Sequence, residues 1–196
     1  MSPCTSDNFR IIYNQVQWVE RYLYEIDCIS KQATLEPNKR SPAAVAPHFF
    51  NMLYCLLFDA SILEAAKLLD PPEQHGHKNI CLKSVIRDAD WLNDETRKQK
   101  LQTLCNIRKK YLEKIKNSRN KFLAHADYKA VTERNDPATH GNHIRLCELK
   151  YAVSLIRDLV DTIRPDGVQM APRPIDDKNW LGVSVVLEVL SRSCDC

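Results

Sequence analysis

Between Phe9 and Lys31, the apolar residues Phe9, Ile12, Val16, Val19, Leu23 and Ile26 recur at steps of three and four, the spacing of one face of an α-helix. Asp7 or Asn8 stands where a cap is wanted. The stretch from Thr34 to Pro47 holds three prolines, each without an N–H and each restricting its neighbour, so it reads as a linker. His48 to Leu69 is apolar on most faces, which predicts a helix buried at the centre, ended by Asp70-Pro71-Pro72. After a polar loop around Gly76, Cys81 to Ala89 forms a short helix with Asn79 available as its cap.

From Asp94 to Ala126 the chain has neither Gly nor Pro, and apolar residues at 101, 104, 105, 107, 111, 112, 115 and 122 predict one long helix. Tyr128 to Asn142, with Asp136-Pro137 and Gly141, reads as a turn-rich insert. A fifth helix follows from about His143 to Ile163, closed by Arg164-Pro165-Asp166-Gly167. A proline-bearing linker then leads to a last helix, capped by Asp176 or Asp177 and running through Leu190. Every segment shows helical phase and only 4 Gly serve 196 residues, so the expected fold is all-α. It is an antiparallel bundle of four to five core helices without strands, spanning residues 1–163, with residues 164–196 supplying a linker and a C-terminal helix that packs on it.

Composition adjusts this picture little, whereas charge changes it. Hydrophobic residues at 44% and charged residues at 27% suit a packed core. Thr96 to Lys121, however, carries ten basic residues against Glu113 alone, a local +9, leaving 18 basic and 24 acidic residues, or −6, elsewhere. Clustered cations of this kind fit a polyanion or an acidic protein surface, and they also fit a solvated helix face. The opening Met-Ser-Pro-Cys has neither a basic n-region nor an apolar h-region, and the apolar stretch 49–69 is broken by Asn51, Asp59, Glu64 and Lys67. The expectation is a cytoplasmic protein with reduced thiols and no membrane span. The eight cysteines include no CxxC pair.

The candidate chemistry lies at the end of the long helix. Arg119 and His125 sit about 60° to either side of Phe122 and about 9 Å apart along the axis. An arginine on an apolar seam is costly to desolvate unless a carboxylate or phosphate meets it, and a histidine titrates near neutral pH. Such a pair can bind and protonate a phosphate; it can equally be a salt-bridged arginine and a helix-end histidine. Ser118 lies on the same seam, and Tyr111 and Tyr128 flank the basic region as base-stacking or core aromatics. His75 with His77, and His140 with His143, lack a local third ligand, so no metal site is assigned. No phosphate-cradling Gly-rich loop, GxSxG or HExxH occurs.

The string Arg119-Asn120-Lys121-Phe122-Leu123-Ala124-His125 resembles the R-x(4–6)-H motif of the HEPN superfamily (higher eukaryotes and prokaryotes nucleotide-binding). The wider run Asn117 to Asp127, with the long helix before it and an apolar helix ending Leu68-Leu69-Asp70, is similar to the abortive-infection type U branch, over roughly Phe9 to Ile163. The resemblance implies a bundle that dimerises through its motif helices and, in many members, a cofactor-free, metal-independent endoribonuclease acting as a toxin or antiviral effector under an antitoxin or regulatory protein. It also implies Arg119 as phosphate clamp, His125 as acid or base and Asn120 as an orienting amide, with Ser118 and Asp127 in support. Asp127 orients the imidazole or is a plain turn residue. Helical phase points Asn120 away from the site unless the helix distorts there. Lys109, Lys110, Lys114, Lys116, Lys121 and Tyr128 are the candidate RNA contacts. The alternative is a non-catalytic HEPN module that binds nucleic acid, a nucleotide or a protein.

Overall fold

The structure, a computed structural model, describes residues 3–33, 46–120 and 143–168, together with Gly182 and Val186. Helix α1 (Pro3–Ala33) buries all six of its periodic apolar positions, with Tyr13 and Ile29 alongside them. Helix α2 (Pro47–Leu69) has proline in its first turn, where the missing N–H does no harm, and it lies antiparallel on α1. Gln15 Nε2 donates to Glu64 Oε2 at 3.0 Å, while Ile29 packs with Phe50 near the other end.

The expectation that the all-round apolar segment is central is corrected here. In α2, Ile62, Ala65, Ala66, Leu68 and Leu69 are buried, but Phe49, Met52, Leu56 and Leu63 face out, Leu56 at 57% exposure. A pattern apolar on every side does not say which side has a partner, and α1 covers one.

Between α2 and the next helix, β1 (Glu73–Gln74) and β2 (His77–Lys78) pair antiparallel, with His75 and Gly76 both at positive φ in the turn. The sequence predicts no strands; these two pairs of exposed residues lie outside the core and leave the fold all-α. Helix α3 (Leu82–Asp88) starts differently from expectation: the Cys81 N–H donates to Ser84 Oγ at 3.0 Å, and Asn79 is engaged with the prolines upstream. Helix α4 (Asp94–Ser118) and helix α5 (Leu146–Thr162) run antiparallel, the rings of Tyr111 and Tyr151 meeting edge to face at 6.5 Å. The expected last helix, 176–190, falls outside the described residues except for Gly182 and Val186. Gly182 lies so close to α1 that a Cβ there would collide with the Glu25 carboxylate. Among the described residues, no helix is long and apolar enough to cross a membrane.

Helix α5 is locked to α1 by charge as well as by the shared apolar core. The Arg157 side chain, 3% exposed, donates from Nε to Glu20 Oε1 at 2.9 Å, pairs through Nη2 with Oε2, and lies 4.7 Å over the Tyr13 ring. Burial works against its charge, but the Glu20 hydrogen bonds outweigh this and raise its pKa above the ordinary arginine value. Removing one partner of such a pair strands the other. Glu20→Ala is therefore expected to lower stability by about 3 kcal/mol in urea unfolding, with Glu20→Gln intermediate.

Candidate functional site

The site is built where the C-terminal ends of α2 and α4 converge. Helix α4 begins firmly: Asn93 Oδ1 accepts the Thr96 N–H at 2.8 Å, and Asp94 and Glu95 complement the positive end of the helix dipole. Its buried line, Leu104, Ile107, Tyr111, Ile115 and Ser118, carries it along the core to its last turn. There Ser118, 2% exposed, accepts the Ile144 N–H on its Oγ at 3.1 Å. That bond ties the end of α4 to the segment that enters α5.

Directly after Ser118, residues 119 and 120 take wider π-type winding, the local departure from helical phase that an inward Asn120 would require. Arg119 lies on the flank of α4 towards α2. Its Nη1 is 3.5 Å from Asp70 Oδ1, with the two side chains 26% and 17% exposed. Its Nε donates to Asn120 Oδ1 at 3.2 Å. Asn120 itself is exposed. Sequence reasoning selected Arg119, Asn120 and Ser118 but not Asp70, whose signal was its place as the last polar residue of an apolar helix before Pro71-Pro72.

The basic run does not form one stripe. At about 100° per residue, Lys109 and Lys116 fall on the outer face of α4, whereas Lys110 and Lys114 fall on the flank towards α5. Lys114 Nζ is 2.6 Å from Glu148 Oε1. Lys110 Nζ stands 5.2 Å and 5.4 Å from the centroids of Tyr111 and Tyr151, a cation held against two ring faces. Tyr111 is a core residue at 3% exposure. A cavity of about 360 Å³ opens further down the α4–α5 groove, with Ile107, Leu155 and Leu159 below and Lys100, Asn106 and Asp158 around it. It does not include Arg119. Lys121, Phe122, His125, Asp127 and Tyr128 lie outside the described residues.

A family model described as HEPN_AbiU2, AbiU2, matches residues 12–163. No curated protein and no solved structure matches the chain. The matched span covers α2, the hairpin, α3, α4 and α5, and it includes Asp70, Arg119 and the segment on to His125.

Two outcomes test this end of the bundle. Glu148 is held down to about 2, first by the Lys114 hydrogen bond and then by the Arg145 N–H. A carboxylate depressed in the folded state contributes stability in full above its ordinary value near 4.5, and that contribution is lost as pH falls towards 2. Urea unfolding between pH 5 and 2, about the range in which carboxylates titrate, should show a shallower decline for Glu148→Gln than for the parent. Ser118→Ala leaves the buried Ile144 N–H without its acceptor, and a loss of about 1–2 kcal/mol is expected, with faster amide exchange at Ile144.

Proposed function

The chain belongs to the HEPN family described as AbiU2, and on that premise we propose that it is a metal-independent endoribonuclease of the abortive-infection kind. The observation that carries this reading is the setting of Arg119. It is a guanidinium within the family-matched span, held by a carboxylate and an amide yet still about a quarter exposed, at the end of a basic helix.

The chemistry is transphosphorylation. The ribose 2′-oxygen attacks the adjacent phosphorus, the P–O5′ bond breaks, and the products are a 2′,3′-cyclic phosphate and a 5′-hydroxyl. His125, placed by its spacing from Arg119, takes the 2′-OH proton or gives one to the departing 5′-oxygen. Arg119 neutralises charge as it grows on the phosphoryl oxygens, the task for which a planar fork of N–H donors is suited. Asn120, whose Oδ1 accepts from Arg119 Nε, orients that fork. Lys109 and Lys116 on the outer face of α4 attract the RNA backbone, and an antitoxin or other regulatory protein holds the enzyme in check. In this reading a second copy brings its own Arg119 and His125 towards the first.

RNA incubated with the protein in the presence of chelator should yield cyclic-phosphate ends, and His125→Ala should slow cleavage by at least about 100-fold. Cleavage that survives His125→Ala overturns the assignment, as do 3′-hydroxyl ends that chelator abolishes. RNA binding without cleavage would leave the chain as a non-catalytic HEPN module.

A further inference from the structure

The Asp70 carboxylate reaches Arg119 from a rigid mount. Helix α2 stops at Asp70 because a residue before proline is pushed out of the helical region, and its φ of −60° and ψ of 158° show that it has been. Pro71 and Pro72 then fix two further φ angles. Both of their carbonyls are taken by one residue: the Asn79 side-chain amide donates to Pro71 O at 3.0 Å, and the Asn79 N–H donates to Pro72 O at 2.7 Å. The β1–β2 turn, with positive φ at His75 and Gly76, returns the chain so that Asn79 can close this clamp. The loop after α2 is thus fastened to itself, and its first residue presents a carboxylate at a fixed place.

We propose that Asp70 is the positioning residue for Arg119, an inference that rests on the ribonuclease reading and identifies the group that aims its phosphate clamp. The fork of Arg119 is held from two sides, Nε bonded to Asn120 on one and Nη1 turned towards Asp70 on the other. At 3.5 Å the Asp70 contact is longer than the roughly 2.8 Å of a tight charge-assisted bond, so it directs the guanidinium without saturating it. A phosphate then meets a fork whose plane is already set, and the entropy of aligning it is spent in folding rather than in the reaction. The same carboxylate subtracts positive potential beside the clamp, so Asp70 weakens RNA binding while speeding the bound step. A residue with only a structural role would not move these two quantities in opposite directions.

The test uses the full chain and a fluorescein-labelled single-stranded RNA of mixed sequence, with anisotropy for affinity and single-turnover cleavage for rate. Asp70→Asn is expected to tighten binding by about threefold and slow cleavage of bound RNA by about tenfold, and Asp70→Glu to recover part of the rate. In an Arg119→Lys background, with no fork left to aim, Asp70→Asn should slow cleavage by less than about twofold. An unchanged rate in Asp70→Asn overturns the proposal, as does an equal Asp70→Asn effect in the two backgrounds. If Asp70→Asn does not fold, Asn79→Ala keeps the carboxylate but loosens its mount: slowed cleavage supports the proposal and a parental rate overturns it. If the parent protein leaves RNA intact, the ribonuclease reading alone is lost and the cycle is read on affinity. A gain from Asp70→Asn that vanishes with Arg119→Ala then supports the coupling, and one that persists overturns it.

Discussion

A guanidinium sealed from water stays charged and destabilises the fold unless a carboxylate is delivered to it, and Arg157 imposes that condition on the whole arrangement. Meeting it requires α5 to lie on α1 with Glu20 opposite Arg157 and Tyr13 under the guanidinium plane. Lys150 pairs with Asp27 further along the same interface. Once α5 is fixed, α4 docks on it through Tyr111 against Tyr151, Lys114 on Glu148 and Ser118 on the Ile144 N–H. The last of these bonds ties the final turn of α4 to the segment that enters α5. The end of α4 brings Arg119 to Asp70, so the candidate site sits at the far end of a chain of packing that begins with one buried ion pair.

The helices were legible because burial on one side leaves a period in the sequence. Phe9 through Ile26 in α1 and Leu104 through Ile115 in α4 are spaced as their buried faces require. What a period cannot report is the partner. Helix α2 is apolar all round, yet Phe49, Met52, Leu56 and Leu63 are exposed while Ala65 and Ala66 are buried, because only geometry decides which face α1 covers. The hairpin escaped notice for a different reason: strands of two polar residues each have no alternation to read, and its turn places a histidine as well as a glycine at positive φ.

Within the candidate site, the division follows sequence distance. Arg119 and Asn120 are neighbours in a motif, and the motif could be read directly from the chain. Asp70 belongs to another helix, and its approach depends on how two helix ends converge, which no local pattern encodes. Asn79 illustrates the same point. As a polar residue before a short helix it reads as a cap, and that local expectation yields to the two proline carbonyls that tertiary structure brings within reach. Ser118, one place before the motif arginine, takes a fold-bearing hydrogen bond, so the candidate site and the scaffold meet within consecutive residues.

The distribution of charge makes a modest net charge of +3 compatible with the RNA substrate proposed above. Of the lysines on α4, Lys114 is held by Glu148 and Lys110 by two aromatic rings, so both are partly committed to the α4–α5 interface. Lys109 and Lys116, on the outer face, remain for long-range attraction. That attraction falls off within about one Debye length of 8 Å at physiological salt, so under the proposed reading it would bring RNA to the helix without aligning it. Alignment calls for a donor of fixed geometry. Among the described residues Arg119 meets that demand: an arginine can face a carboxylate on one edge and still offer N–H bonds elsewhere, whereas a lysine drawn into an ion pair presents a single charge already claimed. Diffuse attraction along α4 and one oriented guanidinium at its end are therefore different tasks, and the proposed reading gives them to different residues.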